Sequence, residues 1–182
     1  MRARTICLVL TTRGNYAKLK SLIHSIKEHP QLRLQIVVGG GLVLDKYGKI
    51  LDDPNIGDFR VDRYVHFIIE GENPLTMTKS AGLAVTEFAN VFNELNPDIV
   101  VVIADRFEVL SIAMAAVYMN IPIAHIEGGE LSGSIDESIR HAVTKLSHLH
   151  FPASLEAAER IVKLGEKKEM VFHVGASSID AL

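Results

Sequence analysis

A doubly wound α/β fold with a mostly parallel sheet is what the sequence predicts. Short β-branched runs alternate with helix-like patterns along the chain. The runs are apolar throughout instead of at every second residue, the mark of strands covered by helices on both faces. No tandem repeat, low-complexity segment or linker interrupts the alternation. Residues 1–182 therefore read as one domain, long enough to bury a real core.

The elements follow in order. Thr5–Leu10 is the first strand. Asn15–Glu28 is the first helix, because Tyr16, Leu19, Ile23 and Ile26 recur at spacings of three and four and form one apolar stripe. Leu34–Val38 is a second strand, ending in Gly39-Gly40-Gly41, and Gly39–Arg63 reads as loop with a short helix. A strand is expected at Tyr64–Ile69, a helix at Pro74–Leu95 and a strand at Ile99–Ala104. The helix Arg106–Met119 is apolar nearly all round (Val109, Leu110, Ile112, Met114, Ala116, Val117), so it must be covered on most sides. Neighbouring helices or a second subunit would cover it, and a homo-oligomer, most simply a dimer through this region, is expected. The strand Ile121–Ile126, helix Ile135–Ser147, strand His148–Phe151, helix Ser154–Leu164 and strand Met170–Val174 complete the pattern.

Composition sets the bounds. The formal net charge of −3 gives no electrostatic reason to expect nucleic acid or an anionic membrane as partner. The single cysteine, Cys7, lies inside a strand pattern, so neither a disulfide framework nor a cysteine-based zinc site is possible. No apolar stretch reaches the roughly 18 residues of a membrane helix. The opening residues lack a secretory cleavage pattern, and a cytoplasmic protein is expected.

In such a sheet, ligands bind beyond the carboxyl ends of the strands, where the strand order reverses. The residues just after the strands are therefore the ones to inspect. Thr11-Thr12-Arg13-Gly14-Asn15 follows the first strand and the three glycines follow the second. Asp105-Arg106 follows the fourth, and Glu127-Gly128-Gly129-Glu130 the fifth. Each has a plain alternative. The glycines lack the spacing of a nucleotide motif, and Asp105 is as suited to capping a helix as to catalysis. Arg13 can be solvated, although a guanidinium suits phosphate. His125 reads as a packed histidine. Ser134 with Glu137 three residues on has the form of a capping box, and Asp136 with Arg140 four on that of a helical ion pair. Capping leaves Glu127 and Glu130 unexplained. Paired carboxylates on a flexible rim are what acid/base chemistry at a carbon centre needs.

The segments "ADRFEVLSIAMAA", "NIPIAHIEGGELSGSIDESIRHAVTKLSHLHF" and "HVGASSIDAL" resemble the hydrolysing UDP-N-acetylglucosamine 2-epimerase family of the sialic-acid pathway. The opening "TTRGNYAKLKSLI" resembles that family's N-terminal R-A-D-Y segment, with Gly14-Asn15 in place of Ala-Asp. Ala104 stands where the family has glycine. The resemblance implies a Rossmann-like domain corresponding to the N-terminal half of a GT-B fold, with the family's C-terminal UDP-binding domain absent from this chain. It implies a UDP-sugar as substrate and release of N-acetylmannosamine and UDP, with no cofactor or metal. It assigns Asp105, Glu127 and Asp136 to proton transfer and water activation, and Arg13, Arg106, Glu130 and Arg140 to substrate binding. Three rival readings stay open: a UDP-diacetylbacillosamine epimerase, a non-hydrolysing epimerase, and a non-catalytic domain that binds nucleotide or a partner.

Overall fold

A computed structural model describes residues 2–47, 59–177 and 179. Six strands form one parallel sheet: β1 (Arg4–Leu10), β2 (Leu32–Gly39), β3 (Arg63–Val65), β4 (Ile99–Ile103), β5 (Ile123–Ile126) and β6 (Leu149–Phe151). The helices are α1 (Arg13–Glu28), α2 (Pro74–Leu95), α3 (Phe107–Tyr118), α4 (Ile135–Leu146) and α5 (Leu155–Lys163). The strand order is β3-β2-β1-β4-β5-β6, so the chain winds outward from β1 in one direction and from β4 in the other. The reversal between β1 and β4 opens the crevice in which such sheets bind ligands.

Alternate side chains of each central strand feed two cores. Cys7, Val9, Val100 and Val102 pack with Phe88 and Phe92 of α2 and Ile112 of α3. Leu8, Leu10, Val101 and Ile103 pack with the predicted stripe of α1, Tyr16, Leu19, Ile23 and Ile26. Phe88 lies between Phe67 and Phe92, with ring centroids 5.9 and 5.7 Å away. Thr12 caps α1 by accepting from Asn15 N–H, and the Asn15 amide oxygen accepts from Thr12 N–H in return. Asn73 and Thr76 do the same for α2.

Two expected strands are corrected. The strand expected at Tyr64–Ile69 is only Arg63–Val65, because its partner β2 ends at Gly39, opposite Val65. Beyond that rung Phe67 turns into the core and Ser80 Oγ accepts the Ile69 N–H. The strand expected at Met170–Val174 shrinks to one bridge, Val171 to His150. Phe172 N–H donates to His150 C=O at 2.8 Å, but the next rung needs an N–H at position 152, and Pro152 has none. The helix α3 meets α2 on one side, α4 on the other and β4 beneath. Much of its apolar girth is thus covered within the chain, while Tyr118 near its end is exposed. Of the loop Gly39–Arg63, the stretches Gly40–Val43 and Asp45–Tyr47 are short 3-10 turns, and residues 48–58 lie outside the described residues.

Candidate active site

The crevice is floored by three chain turns, after β1, β4 and β5. Two of them use a non-glycine residue in left-handed backbone, Ala104 (φ 62°) and Glu127 (φ 58°). A residue with a Cβ costs about 1–2 kcal/mol in that conformation, so glycine would suit position 104 well. Each turn is pinned by one more rung of the sheet. Ala104 N–H donates to Ile126 C=O and Glu127 N–H to Phe151 C=O, both at 3.0 Å.

Asp105 does not cap α3. The N-cap there is Arg106, with no side-chain capping bond, and the Asp105 carboxylate instead accepts from Arg140 of α4. Both are largely enclosed, at 17% and 11% side-chain exposure. The helical ion pair expected between Asp136 and Arg140 is therefore replaced by a contact across the crevice. The expected capping box is also rearranged. Ser134 Oγ accepts from Asp136 N–H at 3.2 Å, and Glu137 reaches further back to Ser132 and Gly133 N–H, each at 2.9 Å. Those two amides hold the Glu137 carboxyl below the usual carboxylate range.

Glu127 has its own cation. Lys18 of α1 lies 2.5 Å from its carboxylate, and Lys18 is the site residue that the sequence did not reveal. One lysine on the polar flank of an amphipathic helix carries no signal by itself. Only the winding of β1 beside β4 and β5 brings it to Glu127.

The same few residues govern the titration of Asp105. Burial raises its carboxyl above the ordinary value, and neighbouring Asp136 raises it further, against the opposing fields of Arg140 and Lys18. Asp105, Glu127, Asp136, Arg140 and Lys18 are thus electrically coupled within one rim. Three carboxylates with different environments, two of them held by cations, can take and return protons at a bound carbon centre.

The other predicted residues sit apart from these pairs. Arg106 donates through Nε to buried Glu108 at 2.8 Å and lines a cleft of about 390 Å³, together with Phe107, Lys46, Asn73, Met77 and Ser80. Glu130 accepts from Ser154 Oγ at 3.0 Å, and Ser154 caps α5, so this carboxylate fastens the loop to α5. Arg13 is the exposed first residue of α1 and makes no ion pair among the described residues. His125 is fully buried, as the packed reading expects. No group of three histidine, cysteine, aspartate or glutamate residues suited to a metal occurs among the described residues. Among them, too, no helix is long and apolar enough to cross a membrane.

Comparison with known proteins supplies a family for this geometry. A family profile described as UDP-N-acetylglucosamine 2-epimerase matches residues 24–182. The hydrolysing GDP/UDP-N,N'-diacetylbacillosamine 2-epimerase of Campylobacter jejuni is 36% identical over 177 residues, covering 97% of this chain and 46% of the relative. The UDP-N-acetylglucosamine 2-epimerase of Neisseria meningitidis is 34% identical over 179 residues, covering 98% and 46%. A crystal structure of a UDP-N-acetylglucosamine 2-epimerase superposes with a TM-score of 0.85 at 24% identity, covering 99% of this chain and 50% of that one. The chain spans about half the length of the curated relatives it matches. Its sheet is that of one half of a GT-B arrangement.

Proposed function

Because the chain belongs to the UDP-N-acetylglucosamine 2-epimerase family, we propose that it is the N-terminal half of a hydrolysing member acting in sialic-acid synthesis. The reaction is UDP-N-acetylglucosamine plus water to N-acetylmannosamine plus UDP. A carboxylate removes the proton from carbon 2 while the bond from carbon 1 to the UDP oxygen breaks, leaving a double bond between the two carbons. Water then adds at carbon 1, and a proton returns to carbon 2 on the opposite face. Asp105, Glu127 and Asp136 are the groups proposed to move these protons. Arg13 and Arg106, with the amino ends of their helices, would meet the diphosphate charge. Arg140 acts through its hold on Asp105. The observation that carries the reading is the convergence of Asp105–Arg140 and Glu127–Lys18 at neighbouring strand ends, with Asp136 close enough to perturb Asp105.

A second substrate reading, UDP-N,N'-diacetylbacillosamine, is favoured by the name and 36% identity of the Campylobacter relative. The two sugars differ at carbons 4 and 6, away from the reacting carbons, so both use the same carboxylates.

Two measurements test the proposal. Turnover in deuterated water by the two-domain enzyme should leave one solvent deuterium at carbon 2 of the product sugar. A product with hydrogen retained there would remove the proton-transfer scheme. The chain alone should release no UDP from either sugar nucleotide, since the other half of the cleft is missing. Release of UDP and free sugar by the purified 182-residue chain would overturn the half-site assignment.

A further inference from the structure

One buried imidazole joins all three segments that carry the carboxylates. His125 of β5 is 0% exposed. Its Nε2 lies 2.9 Å from the carbonyl oxygen of Ala104, the left-handed residue just before Asp105. Its Nδ1 lies 3.2 Å from the hydroxyl of Thr144 on α4. Asp136, Arg140 and Thr144 recur at four-residue spacing and so share a face of that helix. The third contact is Gly128, next to Glu127. A Cβ at position 128 would stand 2.8 Å from His125 Nδ1 and 3.1 Å from Thr144 Oγ1. The loop backbone thus closes directly on the histidine and threonine pair.

We propose that His125 is a positioning residue, a neutral ring fixed as its Nε2–H tautomer, that locks the Asp105 turn, the Glu127 loop and helix α4 into one geometry. A carbonyl only accepts, so the proton on Nε2 is the one that makes the bond to Ala104. A neutral ring then presents a bare Nδ1, and the Thr144 hydroxyl donates to it. Burial pushes the histidine down to about 4, and the neighbouring His150, Arg140 and His141 also disfavour its charged form. The ring therefore trades no proton near neutrality and acts only through the groups it holds.

The kinetic arm of the test rests on the epimerase reading; the spectroscopic arm does not. In protein labelled with 15N-histidine, His125 should show the Nε2–H tautomer and no titration across the neutral range. Thr144→Val keeps the shape of the side chain but removes the hydroxyl, and it should release the ring into a mixture of tautomers. In the two-domain enzyme, Thr144→Val and His125→Leu should lower kcat by roughly 10- to 100-fold, the scale on which misplacement by an ångström acts. KM should change little. Thr144→Ser and His125→Gln retain a hydroxyl and an N–H donor, and should restore kcat to within a few-fold. An Nδ1–H ring, a ring charged at neutral pH, or a folded Thr144→Val enzyme with full kcat would overturn the proposal. If the unsubstituted enzyme turns over no UDP-sugar, the epimerase reading fails, and the tautomer in wild type and Thr144→Val decides the positioning role alone.

Discussion

Asp105→Asn, Glu127→Gln and Asp136→Asn, each in the two-domain enzyme, should lower kcat by roughly 100- to 10,000-fold. The amides preserve shape and most hydrogen bonds but cannot exchange a proton. Substrate affinity should change far less, because these groups act mainly in the transition state. Glu137→Gln is the control. The Glu137 carboxylate accepts from Ser132 and Gly133 N–H, and an amide oxygen can accept the same two bonds. Its activity should stay within a few-fold of wild type. If any of the three carboxamide variants retains full kcat, that residue has no proton-transfer role; a collapse of the Glu137→Gln variant would show that loop order, not proton transfer, limits the rate.

How much of this was legible from residues alone depends on how local each signal is. The stripe of α1, the buried strands and the five helices are written in short-range periodicity, and the structure follows them closely. Edge strands are less local. β3 stops because β2 stops, and the segment after Lys168–Met170 loses its ladder to Pro152, the residue just past β6. Neither cause lies inside the segment being read. The site divides in the same way. Asp136 took its role only from the family resemblance; Asp105 and Glu127 were visible because charges directly after apolar runs are conspicuous. Their partners were not, since Lys18 and Arg140 reach them across 109 and 35 residues. Reading Arg140 against Asp136, four residues away, applied a helical rule where a stronger partner stood across the crevice. The alternatives left for Asp105, helix cap or site residue, were chemically equal in sequence. They separate only once Arg106 is seen to be the cap position.

The Asp105–Arg140 pair offers the sharper test of electrostatics. Burial and Asp136 push the Asp105 carboxyl up, and Arg140 is the first of the two cations that oppose them. Arg140→Leu should leave Lys18 as the opposing charge and move the Asp105 titration further upward. The sign has a consequence for folding. A carboxyl with a raised native pKa binds its proton more tightly folded than unfolded, so stability declines as pH rises from the unfolded value through the native one. In the chain carrying Arg140→Leu, that decline should be larger and continue to higher pH, as read by thermal unfolding across a pH series. The kinetic consequence identifies the role of Asp105. If it is the base, the acid limb of kcat/KM moves to higher pH, and activity at any pH below the limb falls up to tenfold for every pH unit the limb has moved. If it is the acid, the alkaline limb moves instead, and activity is extended at high pH. Arg140→Lys keeps the charge and should hold both limbs near their wild-type positions. A profile that Arg140→Leu leaves in place would mean that this guanidinium does not set the Asp105 proton affinity, and the proton-transfer role would then pass to Glu127 and its partner Lys18.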